Sequence, residues 1–156
     1  MAFSLPSPLT GAAVTGLTSP TFTVAADIAP TPLGKQYVVT ALGGTQTDVS
    51  VHSLSSPFFV SFTRPSTFKP LSLVNPSTGR LISVPRNTWK MVVGKGATPL
   101  AGQAAVPILF RGDFIVPSGV DTADPNELKA FMSFIGGLLW NQANGISASL
   151  IDGVIG

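Results

Sequence analysis

Glycine or proline occupies thirty of the 156 positions, 16 and 14 respectively, and the thirty are spread along the chain. Glycine and proline interrupt regular elements, so this spacing leaves room mainly for short strands joined by turns. One stretch departs from that plan. DPNELKAFMSFIGGLLWNQANG, from Asp124 to Gly145, has a helical start signal: Asp124 as N-cap, Pro125 at the first helical position and Glu127 two residues on. Such a capping box satisfies free amides and sets negative charge at the positive end of the helix dipole. Leu128, Phe131, Met132, Ile135, Leu138 and Leu139 then form one apolar stripe.

A sheet can cover that stripe, but Phe134 widens it and Trp140 leaves from another side. Nothing else in a chain of this length can cover both. Gly136 and Gly137 each cost about 1 kcal/mol of helix stability relative to Ala, a cost that suits a close backbone crossing. The surplus therefore points to a second copy of the chain, with Phe131, Phe134, Ile135, Gly137, Leu138 and Trp140 at a dimer interface. Composition agrees: charged residues make up 10%, against roughly 25% in ordinary soluble domains.

The chain fits one domain, 1–156, with three parts: an arm or loose hairpin over 1–34, an antiparallel sheet over 35–120 and C-terminal helices over 124–156. The first part carries a single charge, Asp27. In the second, KQYVVTAL and TDVSVHSL read as strands joined by a GGTQ turn. PFFVSFTRP, NTWKMVVGK and AAVPILFRGDFIVP alternate with period two. Val60 and Phe62 oppose Ser61 and Thr63; Trp89, Met91 and Val93 oppose Thr88, Lys90 and Val92; Phe110 and Phe114 oppose Leu109, Arg111 and Asp113. One greasy and one wetter face follow.

Chemistry of the catalytic kind finds no support. His52 is the sole histidine, the seven carboxylates are scattered, no cysteine exists for a thiolate or disulfide, and GKGATP does not meet the phosphate-loop pattern. RGD at 111–113 falls inside a strand pattern and reads as chance. The expectation is no enzyme, no cofactor, no metal and no small-molecule substrate. No apolar run reaches the roughly 18 to 20 residues of a membrane span, and the N-terminus lacks a basic leader, so no membrane partner is expected and synthesis in the cytosol is.

Taken together, VSFTRPS, NTWKMVV, ILFRGDFIVP and DPNELKAFMSFIGGLLWNQANGISASLI resemble, in order and character, the last two thirds of the coat proteins of the single-stranded RNA bacteriophages. STFKPLSLVNPSTGRLISVP stands as an insertion relative to familiar members. The resemblance implies an α+β fold: an N-terminal hairpin, a five-stranded antiparallel sheet and two C-terminal helices, in an interlocked homodimer. Two sheets would join edge to edge, each chain's helices would cross the partner's sheet, and the dimers would close into an icosahedral shell. The opposite face would meet single-stranded genomic RNA, and an RNA hairpin could be bound as a translational repressor. GKGATPLAGQ would form a loop near the symmetry axes. The place of such a protein is the virion, after synthesis in the bacterial cytoplasm.

Charge bears on the RNA partner. No acidic residue lies between Asp48 and Asp113, while Arg64, Lys69, Arg80, Arg86, Lys90, Lys95 and Arg111, seven of nine basic residues, do. In an ordinary domain this would be a solvated basic face. Joined to the resemblance, Lys90 and Arg111 become candidate phosphate contacts, and Ser61 and Thr63 match the family's RNA-facing strand positions. A small dimeric nucleic-acid-binding β-domain that builds no shell is the other reading left open.

Overall fold

The computed structural model describes residues 3–155. Six antiparallel strands lie in chain order across one sheet: β1 (Leu9–Thr10), β2 (Thr18–Asp27), β3 (Gly34–Thr45), β4 (Phe58–Thr63), β5 (Arg86–Ala97) and β6 (Val106–Pro117). Three helices follow: α1 (Val120–Ala123), α2 (Pro125–Asn141) and α3 (Ala143–Asp152). The class is α+β, with six strands where five were expected and a short α1 ahead of the two expected helices.

The region expected as an arm or loose hairpin supplies two of the six, β1 and β2, paired antiparallel. β2 pairs with β3 from Thr18↔Thr45 to Asp27↔Gln36, and β1 adds to its outer side. The arm also reaches the aromatic side of the sheet, where Phe3 sits 5.0 Å from the Phe62 ring and 5.9 Å from Tyr37. Leu9–Thr10 and Thr18–Asp27 are thus part of the sheet, since their backbone groups have ladder partners a loose arm would lack.

The expected GGTQ hairpin is absent. β3 runs on through Gly43, Gly44 and Thr45, because Gly44 takes φ +71 opposite Ser19 at φ 46, an irregularity that lets the ladder continue. A side chain at Gly44 would collide with the Thr18 and Ser19 backbone. The sequence TDVSVHSL is accordingly a loop: Asp48 is left-handed at φ 62, and the His52 N–H donates to the Val39 carbonyl at 2.9 Å. His52 Nδ1 accepts the Phe58 N–H at 3.0 Å, which fixes its ring proton on Nε2 and makes it a loop brace.

GKGATPLAGQ is also shorter as a loop than expected. Gly94 to Ala97 belong to β5, with the Phe59 ring laid over Gly94 and the Gly96 N–H donating to the Pro57 carbonyl at 2.6 Å. At α2, Asp124 holds the N-cap position and Pro125 the first turn, but the Asp124 side chain makes no capping bond. Its φ/ψ of −146/61 serve α1's end, where its N–H donates to Val120, so the expected capping box does not form.

The insertion between β4 and β5 is an ordered hairpin. Val74 and Leu81 bridge, Asn75 N–H donates to the Arg80 carbonyl at 2.7 Å, and Ser72 Oγ bonds to Ser83 on both its backbone groups. Its root is tied by Asn87, whose side chain accepts the Lys69 N–H at 2.8 Å and donates to the Lys69 carbonyl at 3.2 Å. Ser118, itself buried, donates to the same carbonyl at 2.5 Å.

What the chain does not build alone is a core. Among the described residues Val39 is the one buried large hydrophobic side chain, and no residue of α1, α2 or α3 is buried. The accessible surface is 10978 Å². A self-contained monomer of 16.1 kDa would expose about 7,400 Å².

Candidate nucleic-acid interface

Residues opposite one another in an antiparallel ladder share a face. The register Gln36↔Ser61, Ser61↔Val92, Val92↔Arg111 makes one row; Thr63↔Lys90, Lys90↔Asp113 makes the next. Ser61, Thr63, Lys90 and Arg111 therefore stand on a single face, in two adjacent rows that cross three strands. The other face carries the aromatic group, with Phe62 stacked on Trp89 at 5.7 Å and set edge-on to Phe114 at 6.2 Å.

The four residues are not equivalent. Lys90 and Arg111 are exposed, Thr63 is half-buried, and Ser61 is buried, forming floor. Ser61, Thr63 and Lys90 line a groove of about 590 Å³ between the β2–β3 turn (Pro30, Thr31, Leu33) and the root of the insertion. Arg111 lies beside it on β6, outside its walls. Arg64, Lys69 and Arg86 also line it, which gives the groove four cations and no carboxylate. Such a trough attracts a polyanion through charge, without reading its sequence.

Sequence phase missed those three because Arg64 and Arg86 sit where strands end and Lys69 lies in the insertion. The acid-free run from 49 to 112 contained the signal but not the geometry. That run does not make every cation a neighbour. Lys95 pairs with Phe58 and Ile108 on the aromatic face, 5.2 Å above the Phe58 ring, and donates to Ser50 Oγ at 3.1 Å and to its neighbour Gly96's carbonyl at 2.8 Å. Burial lowers its pKa. Arg80 sits in the insertion turn.

Two carboxylates share the polar face. Asp113 stands opposite Lys90. Asp27 stands opposite Gln36 and accepts its side-chain amide at 2.7 Å, a bond that, with the Ile28 backbone, lowers the Asp27 pKa. The cations of the groove are thus flanked by one carboxylate on β2 and one on β6, the latter beside Arg111.

On the aromatic face a cleft of about 740 Å³ opens between the sheet and α2, walled by Phe62, Trp89 and Phe114 on one side and Leu128, Phe131 and Met132 on the other. Phe134 and Trp140 are 70% and 53% exposed, Phe131 and Leu138 about half exposed, and Ile135 and Gly137 partly covered. A Cβ added at Gly136 or Gly137 would meet nothing within 4 Å. Within its own chain, then, neither glycine is required by a close contact.

No protein-family model matches the chain, and no curated protein does. Among solved structures it is similar to the chain of a virus-like particle of bacteriophage ESE020, at 45% identity and a TM-score of 0.94, over 99% of this chain and 100% of that one.

Proposed function

The chain belongs to the coat-protein family of the single-stranded RNA bacteriophages and is a structural capsid protein of the virion; from that premise we propose that it works as a homodimer, that the dimers close into a shell, and that the polar sheet face holds the packaged single-stranded RNA. The observation that carries this reading is the surface. The chain exposes about 3,600 Å² more than a monomer of its mass should. Obligate dimer interfaces bury 2,000–5,000 Å² or more over both partners. The surplus from two chains is enough for such an interface and for further contacts between dimers.

In this reading β6, the free 12-residue edge of the sheet, pairs with the same strand of a second copy. Unpaired edges of that length are otherwise aggregation sites. The partner's helices fill the aromatic cleft, with Phe131, Phe134, Ile135, Leu138 and Trp140 as contact residues and Gly137 at the crossing. RNA phosphates follow the groove and Arg111. Lys90 acts as a point charge, while the planar guanidinium of Arg111 can also take two bonds from one phosphate or one guanine edge. Repression of translation through an RNA hairpin would use the same face.

The test is one preparation read in three ways. Electron microscopy of purified protein should show closed particles, their absorbance ratio should show nucleic acid, and light scattering after mild dissociation should give twice the chain mass. Soluble, shell-free dimers that still bind RNA would favour the non-assembling β-domain. A stable monomer would overturn the dimer.

A further inference from the structure

The insertion hairpin displays aliphatic surface that the chain leaves uncovered. Leu73 and Ile82 are 82% and 71% exposed, and Val74, Leu71 and Val84 are each about half exposed. Arg80 is the single charge from Pro70 to Pro85. Contiguous apolar surface of this kind marks an interaction site. It is also preformed: the Val74↔Leu81 bridge, the Asn75–Arg80 turn and the Asn87–Lys69–Ser118 tie hold it, so little ordering cost remains on binding.

We propose that this hairpin is a clasp between neighbouring dimers, seated on a second copy of the chain that belongs to a different dimer; the proposal rests on the dimer and shell described above. The choice of occupant follows from symmetry. The hairpin leaves the sheet at the end where β4 stops and β5 begins. If two β6 edges pair antiparallel about a two-fold axis, the partner's strands run the opposite way, and the two hairpins come to lie at opposite ends of the dimer. Neither can cover the other. Its turn begins six residues beyond Lys69, a reach of roughly 20 Å at strand rise. The near-absence of charge argues against nucleic acid as the partner, because phosphate binding requires cations. A subunit of a closed particle is in addition surrounded by copies of itself at high local concentration.

Two variants test it: Leu73→Ser with Ile82→Ser, which alters exposed side chains only, and replacement of residues 72–83 by a short Asn-Gly turn. Shells are dissociated, the released species are sized by light scattering, and reassembly is followed by electron microscopy. The expected result is dimers of normal mass and thermal midpoint, with the yield of reassembled particles lowered at least about tenfold, the change that 1.4 kcal/mol produces. Particles at normal yield and normal urea resistance from the serine double variant would overturn the clasp. Dissociation of that variant to monomers would also overturn it, by placing the hairpin inside the dimer. Should the turn replacement fail to fold, the serine variant decides alone. A wild-type protein that is monomeric after dissociation removes the dimer premise, and the clasp with it, before any variant is made.

Discussion

Asn87 shows how much one side chain fixes. Its amide both accepts from and donates to the Lys69 backbone, copying a ladder rung where the insertion has no strand to pair with. Asn87→Ala leaves the Lys69 N–H without its acceptor and removes the bond that the Asn87 amide donates to the buried Ser118 Oγ at 3.2 Å, so a loss of about 1–2 kcal/mol is expected, read as a lower urea midpoint with faster exchange of the Lys69 amide. At the groove, Lys90→Ala with Arg111→Ala should leave dimers and shells intact, since both side chains are exposed and point away from the helices. RNA content should fall, and the salt slope of RNA binding should drop by about 0.7–0.9 per lost phosphate contact. Unchanged content and slope would move RNA off this face. Lys95 supplies a pH test. Burial depresses its pKa, so the unfolded chain holds more protons between that lowered value and the ordinary 10.5, and folding stability should rise with pH across that window. Lys95→Met should lose that rise; an identical pH profile in the variant would refute the assignment.

Among the elements, β4, β5, β6 and α2 were legible because each has a clean period, two for the strands and 3.6 for the helix. Alternation set Ser61 and Thr63, Lys90, and Arg111 on the wetter side of their own strands, and the ladder register joins the four on one face. β2 and the end of β3 were not legible, because Ser19 and Gly44 hold the ladder together through backbone angles that side-chain pattern does not encode. The hairpin at 72–83 escaped for the opposite reason: Pro, Ser and Gly read as punctuation, while one of its rungs comes from the Ser72 side chain and its turn is held by the Asn75 side chain, which accepts the Ser77 N–H. The N-terminal segment carries its own prediction. Phe3→Ala strips a ring from Phe62 and Tyr37 and should cost roughly 2 kcal/mol, below the 3–5 of a fully buried Phe. α2 offers a test whose sign decides. In a lone chain, Gly137→Ala meets no neighbour and should stabilise by about 1 kcal/mol through helix propensity. If a second chain crosses there, even the added methyl should destabilise, and Gly137→Leu should yield insoluble or unfolded protein.

At the scale of the whole molecule, the one buried aliphatic side chain among the described residues cannot offset the conformational entropy of ordering them. The sequence hinted at this through a helix too greasy for one sheet and through scarce charge; it could not show that the sheet, too, lacks a cover of its own. Val39 therefore has a meaning beyond packing. If folding is completed by pairing, the population of folded chains depends on how many are present. Dilute chains remain open to proteolysis, and each tenfold rise in concentration deepens the well for all of them together. Supply would then act as a switch: below a threshold the chain is consumed, and above it accumulation sustains itself.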